Sequence, residues 1–336
     1  MTAPGVPRLV TRRQVVIGLL GVGALPRAVR AQPSSAIPVI GLLSARSQVE
    51  TAHLLAAYRK GLSESGHVEG NNVLIEYRWA EGRFDRLPDL AADLVRRKVA
   101  VISTVGGSPP AVAAKAATST IPIVFLSGGD LVKLGLVTSL SRPVGNVTGV
   151  SQFATLLAPK RLELLRDVKP SAGLVAILLN PKNPNFGFEQ TQVLEAARVL
   201  SLKLNFVKAS TVTELDQGLE SLATTRVDGL VVNADAFLDD RRAHITAFVA
   251  RQGIPAIYPW RDYAAAGGLI SYGADVADTY RQAGVYAGRI LKGARPADLP
   301  VMQPSKFQLV VNLKTARTLG ISVPRSVLAR ADELIQ

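Results

Sequence analysis

The sequence predicts an α/β protein of two similar-sized lobes, each a parallel sheet flanked by helices. Short apolar runs rich in Val and Ile alternate with longer stretches of helical period, the pattern of strands buried on both faces beneath helices. The alternation halts at Gly145-Asn146-Val147-Thr148-Gly149-Val150 and then begins again. Once an N-terminal leader is set aside, about 305 residues remain, more than one core ordinarily supports.

The leader comes first in the chain. Thr11-Arg12-Arg13-Gln14 precedes an apolar run from Val15 to Leu25, and Val29-Arg30-Ala31 places short side chains where a signal peptidase reads. Residues 1–31 therefore read as a twin-arginine-like signal peptide cleaved near Ala31, which makes the protein periplasmic. Val15 stands where that motif usually has Phe, so the general secretory route stays open. The apolar run is too short for a spanning helix, which needs about 20 residues, and no stable membrane anchor is expected.

In the first lobe the expected strands are Pro38 to Leu43, Val73 to Tyr77, Val99 to Ser103 and Ile121 to Phe125. Helices are expected near Thr51 to Ser65, Leu87 to Arg97 and Ala111 to Thr118. After residue 150 come strands near Leu174 to Leu179, Leu204 to Lys208, Gly229 to Asn233 and Ala256 to Tyr258. Their helices fall near Lys160 to Val168, Glu189 to Leu200, Val212 to Thr224 and Arg241 to Gln252. A strand at Gly268 to Tyr272, a helix from Tyr280 to Lys292 and a strand at Phe307 to Asn312 follow, late enough to return and complete both sheets. The expected division is residues 37–152 with about 274–298 for one lobe, and 153–273 with about 299–336 for the other.

Composition narrows the function. Removing residues 1–31 takes away five arginines and no acidic residue, lowering the formal charge from +13 to +8. The remaining cations lie on helical faces without aromatic interleaving, which argues against nucleic acid as a partner. Without cysteine there is no disulfide, thiolate metal site, cysteine nucleophile or lipid-bearing Cys. His53, His67 and His244 lack metal-ligand spacing, and no cofactor or metal is expected. A nucleophile elbow, a phosphate loop and a dinucleotide fingerprint are all missing from residues 32–336, so catalysis has no positive support.

Small and polar residues gather instead at the carboxyl ends of the expected strands, where open α/β sheets bind ligands. Ser44 follows the first strand. Gly106-Gly107-Ser108-Pro109 follows the third and opens a helix, where free amides and the Ser108 hydroxyl can hold a carboxylate; the alternative is that Ser108 is simply an N-cap. Ser127-Gly128-Gly129-Asp130 follows the fourth, with Asp130 able to accept from an ammonium group or to serve a plain turn. In the second lobe Asn180, Asn183, Asp235, Tyr258 and Tyr272 occupy the corresponding ends. Asp235 is placed to pair with a ligand amine, and either tyrosine to stack on an apolar ligand part.

Several ordered blocks carry a family resemblance: Gly66-His67-Val68-Glu69-Gly70, Ile75 to Gly82, Arg86-Leu87-Pro88, Ile121 to Phe125, Gly145 to Ser151, Gly267 to Gly273 and Leu328 to Glu333. From about Ile37 to Gln336 the chain resembles the ABC-transporter substrate-binding family that includes tryptophan/tyrosine-binding proteins. The resemblance implies a two-lobed type I periplasmic-binding-protein fold joined by crossing segments. It also implies closure on a small ligand and delivery to a permease and an ATPase made by other chains. The family usually shows Gly-Asp-Pro-Val where this sequence has Gly129-Asp130-Leu131-Val132, which puts ligand contacts at that loop in doubt.

The expected function is an extracytoplasmic solute-binding protein, monomeric and not an enzyme. Its ligand would be an aromatic or other amino acid, or a small carboxylate. The alternatives are a ligand sensor without transport and a secreted α/β enzyme. The effector-binding part of a transcriptional regulator shares the architecture, but the leader occupies the place of its helix-turn-helix.

Overall fold

A computed structural model describes residues 37–336; the expected signal peptide lies outside the described residues. The first sheet has five strands: β1 (Val39–Ser44), β2 (Leu74–Trp79), β3 (Val101–Val105), β4 (Ile123–Ser127) and β5 (Val147–Ser151). Their order is β2-β1-β3-β4-β5, and every pairing is parallel. Helices α1 (Gln48–Glu64), α2 (Leu87–Arg96) and α3 (Ser108–Ala117) supply the crossovers. Apolar clusters lie on both faces, one with Ile40, Leu42, Val124 and Val150, the other with Leu43, Ile102, Ile123 and Phe125. Successive side chains of one strand thus serve opposite faces, which is why β1 and β4 read as nearly continuous apolar runs, whereas the edge strand β2 carries Glu76 and Arg78.

The second lobe begins with α4 (Ala158–Val168), β6 (Leu174–Leu179), α5 (Phe186–Val199), β7 (Lys203–Lys208), α6 (Val212–Thr225) and β8 (Gly229–Val232). It continues through α7 (Ala236–Asp239), α8 (Arg242–Arg251), β9 (Ala256–Tyr258), α9 (Arg261–Ala265) and β10 (Ile270–Ala274). Then α10 (Val276–Leu291) packs on α1 and the first sheet before β11 (Phe307–Asn312) returns to the second. Helices α11 (Leu313–Thr318) and α12 (Arg325–Leu328) lead to β12 (Glu333–Ile335) at the edge. The order is β12-β11-β10-β9-β8-β6-β7. All pairings are parallel except β10 with β11, so the second sheet is parallel-dominated rather than wholly parallel. The cause is connectivity: β11 enters after the chain has visited the first lobe.

Helix α10 starts four residues earlier than the sequence predicts, because Asp275 caps it by accepting from the Asp278 amide. It lies close on α1. A Cβ on Gly284 would stand 2.1 Å from the Tyr58 carbonyl oxygen, and one on Gly61 1.8 Å from that of Arg281. Alanine is favoured over glycine in a helix by about 1 kcal/mol, but overpacking costs about 1–3 kcal/mol. Gly284→Ala is therefore expected to lower the urea midpoint despite its better propensity; a raised midpoint would show that the helices can part freely.

Candidate functional site

In each sheet the strand order reverses at one place, between β1 and β3 in the first and between β6 and β8 in the second. Ligands bind beyond the carboxyl ends of the strands at such switch points. The segments that leave those ends meet face to face: Arg46 and Gly106-Gly107-Ser108 from one lobe, Asn183, Asn185 and Asp235 from the other. Thr155 and Gln152 join the first wall, and Glu189, Asp239 and Trp260 the second.

The first wall depends on local backbone. Gly107, at φ 98°, precedes α3 as its N-cap, a conformation that side chains disfavour. Ser108 is therefore the first helical residue and not the cap, and its hydroxyl is turned to the cleft. It lies 2.6 Å from the Ser127 hydroxyl and accepts from Asn185 Nδ2 at 3.0 Å. Pro109 and Pro110 have no N–H, so the start of α3 offers fewer amides to an anion than an ordinary helix.

The second wall is organised by Asp235. Its carboxylate accepts from Asn180 Nδ2 (3.1 Å), Asn183 Nδ2 (2.8 Å) and the amides of Phe237 (2.9 Å) and Leu238 (3.3 Å). Three of those donors reach Oδ1 and one, Asn183, reaches Oδ2, so both oxygens are engaged and Asp235 positions Asn180 and Asn183. Asn183 Oδ1 in turn accepts from the Asn185 amide at 3.0 Å. A hydrogen-bonded chain thus runs Asp235, Asn183, Asn185, Ser108, Ser127 across the cleft. It bridges the two walls, and the cavity between them is only about 20 Å³.

Glu189, on α5, has a different role. Its carboxyl is buried, accepts from Asn233 Nδ2 at 3.0 Å and borders the cavity. Burial pushes it up to about 8, against the opposing pull of the Asn233 amide and the Arg161 charge. The folded protein therefore holds a proton that the unfolded chain releases above about pH 4.5, and the fold loses stability as pH rises from there to about 8. Between pH 5 and 8 the unfolding free energy is expected to fall by about 2–4 kcal/mol through this group. Urea titrations of Glu189→Gln should lack that component, and an identical slope in both proteins would contradict it.

Charged contacts link the lobes beside the cleft. Arg46 pairs with Asp239, and Glu50 with Arg242. The Ser47 amide donates to Asp240 at 2.8 Å, and His53 lies 3.2 Å from Asp262. Asp239 also accepts from Trp260 Nε1 and the Tyr263 hydroxyl, each at 3.1 Å. Burial raises Asp239 to about 6 while Arg46 opposes the shift, so the pair is charged at neutral pH.

Of the expected site residues, Ser108, Asn183 and Asp235 line the cavity. Ser127 and Asn180 bond directly to those three, and Pro109 lies buried next to Ser108. Ser44 accepts from the Arg46 amide at 3.0 Å, and a Cβ on Gly129 would stand 2.0 Å from Asn185 Oδ1. Asp130, Tyr258 and Tyr272 are placed elsewhere. Asp130 caps its own turn through the Val132 and Lys133 amides, with Leu131 buried in the core. Tyr258 stacks on Tyr263 in the second core, at 4.8 Å between ring centres, and Tyr272 packs near Phe307. Arg46, Gln152, Thr155, Asn185, Glu189 and Asp239 were not anticipated, and Trp260 borders the cavity where Tyr258, at the same strand end, was expected to. Among the described residues no cluster of His, Cys, Asp and Glu suits a metal, and no helix is long and apolar enough to cross a membrane.

Comparison with known proteins places these features. A sequence model of the family described as ABC transporter substrate binding protein matches residues 39–335. A tyrosine-binding protein of Clostridioides difficile (strain R20291) is 27% identical over 262 residues, 78% of this chain and 75% of the relative. Among solved structures, the ABC domain in complex with L-Trp from Streptococcus pneumonia superposes with a TM-score of 0.81 at 25% identity, covering 89% of this chain and 99% of that one. The ligand-free, open structure of a substrate-binding protein with adhesive properties from Clostridium difficile, also 25% identical, reaches 0.63 over 89% of this chain and 100% of that one. At equal identity and coverage this chain matches the complex better than the open form, in keeping with the contacts across its cleft.

Proposed function

The chain belongs to the ABC transporter substrate binding protein family, whose members are solute-binding proteins and not enzymes, and we propose that it is the extracytoplasmic binding component of an importer. It captures a small solute between its lobes and presents the closed form to a permease coupled to an ATPase. The lobes are residues 37–152 with about 274–298, and 153–273 with about 299–336. The packing of α10 on α1 and the return of β11 and β12 to the second sheet support that division. Residues 1–31 act as the export signal, and the mature protein works as a periplasmic monomer.

The observation that carries the reading is the pair of facing switch points, whose polar side chains meet through Asn185 and Ser108. The ligand is an amino acid, most simply an aromatic one, as the relatives suggest. Its carboxylate displaces Asn185 from the Ser108 hydroxyl, its ammonium meets Glu189, whose carboxyl releases its proton to solvent on binding, and its ring lies toward Trp260, the aromatic side chain of the cavity wall. A solute of about 14 heavy atoms needs roughly −0.6 kcal/mol per atom for micromolar affinity, within the reach of small ligands.

Calorimetry of the purified protein against amino acids and small carboxylates tests this reading. L-Tryptophan or L-tyrosine is expected to bind one to one without product. Ser108→Ala should weaken binding about tenfold, the loss of a hydrogen bond to a charged group. Asp235→Ala should act comparably by releasing Asn180 and Asn183. Unchanged affinity in both variants would refute the site, and turnover would refute the class.

A further inference from the structure

A second cavity, of about 440 Å³, is lined by Asn180 and Phe237, both of which donate to Asp235, and is roomier than the inner cleft. Both lobes build it: the loop after β2 supplies Phe84, while the second lobe supplies Phe237, Val212, Lys182 and Arg241. Its volume falls within the range of small-molecule sites.

The charge balance of this cavity is particular. Arg83 is paired with Asp85 at 2.8 Å and Glu81 with Arg86 at 2.9 Å, so those rim charges cancel. Lys182 and Arg241 form no ion pair among the described residues. Arg241 lies over the Phe237 ring at 3.9 Å and donates one guanidinium hydrogen bond to the Phe237 carbonyl at 2.8 Å, with Asp235 and Asp240 nearby but not in contact. Arg241, whose guanidinium covers the buried Phe237 ring, and Lys182, with Asp85 and Glu214 nearby but not in contact, thus stand without ion-pair partners beside an apolar surface of Phe84 and Val212. That combination suits a small organic acid, with the carboxylate on the cations and the hydrocarbon part on the apolar surface.

We propose that this cavity is an accessory site for a small aromatic or aliphatic carboxylate, separate from the inner cleft. Its occupant touches both lobes and so favours their closed arrangement. It also meets Asn180 and Phe237, each of which donates to Asp235, so the two sites share one hydrogen-bonded wall. By linkage, an acid in the outer site and a solute in the inner one strengthen each other's binding. The proposal does not depend on which solute the inner cleft takes.

Benzoate is the probe, with benzamide as its uncharged counterpart, titrated calorimetrically into the purified protein. Benzoate is expected to bind one to one and benzamide at least tenfold more weakly. Lys182→Gln and Arg241→Gln should each weaken benzoate about tenfold. Lys182 is exposed, so its variant stays informative even if the half-buried Arg241 variant folds poorly. Ser108→Ala, which lines only the inner cleft, should leave benzoate binding within a few-fold of the wild type. Saturating L-tryptophan should tighten benzoate binding. No benzoate binding at millimolar concentration, equal binding of benzamide, indifference to Lys182→Gln, or competition by L-tryptophan would overturn the proposal. Should L-tryptophan and L-tyrosine fail to bind at all, the inner-cleft reading falls while the benzoate and variant results still decide this one.

Discussion

Arg161→Ala is expected to lower the stability of the fold by about 3–5 kcal/mol, among the largest losses from a single side chain. Arg161 is fully buried on α4. Its Nε donates to the Tyr272 carbonyl at 2.9 Å and its Nη2 to the Ala154 carbonyl at 3.1 Å, while Nη1 has no partner. One carbonyl lies just after β5, where the chain leaves the first sheet, and the other in β10 of the second sheet, shortly before α10. Burial lowers the guanidinium to about 10, offset in part by Glu189 and Asp239, so it is charged at neutral pH. Alanine would leave a cavity and two unpaired carbonyls. Methionine fills the space and should cost less, about 1–3 kcal/mol, because only the carbonyls are then unsatisfied. Urea unfolding measures both, and equal midpoints for wild type and alanine variant would contradict a structural role for the guanidinium.

Asp239→Ala should act on closure more than on folding. The carboxylate serves Arg46 from the opposite lobe together with Trp260 and Tyr263 from its own, and Arg46 Nε already lacks a partner. Removing one member of a buried pair costs about 3–5 kcal/mol when the remaining charge cannot reach water. Here Arg46 reaches water if the lobes separate. The closed form therefore bears most of the cost, and the open form little of it. Ligand affinity should fall by a hundredfold or more, since about 1.4 kcal/mol is a tenfold change, whereas the urea midpoint should move less than for Arg161→Ala. A variant that binds normally yet unfolds early would assign the pair to folding instead.

The sheets were readable in the sequence because parallel strands under helices are apolar on both faces, and β1, β4, β6 and β8 are such runs. Strands β5 and β12 were not: Val147–Ser151 carries Thr148 and Gly149 and reads as a break between the lobes, and Glu333–Ile335 is a short edge strand without a pattern of its own. Small helices such as α7 and α9 were missed for the same reason of length. At the site, Ser108, Asn183 and Asp235 were legible from their place after strands. Asn185 and Glu189 were hidden because one looks like loop and the other like a helical surface charge until α5 is laid against the first lobe. Tyr258 misled in the opposite direction: an aromatic at a strand end can face the core as readily as the cleft, and here Trp260, two residues on, borders the cavity. Arg46 and Asp239 are 193 residues apart, and nothing local signals their meeting.

The central claim, that the ligand is held by closing one lobe on the other, can be tested by the distance between two labels. The natural chain has no cysteine, so Val49→Cys and Ala243→Cys, both exposed and adjoining the Glu50 and Arg242 partners, accept a pair of spin labels uniquely. Saturating L-tryptophan or L-tyrosine is expected to replace a broad, longer distance distribution with a narrow, short one, and Asp239→Ala should keep the distribution long. Saturable binding with an unchanged label distance would contradict the account.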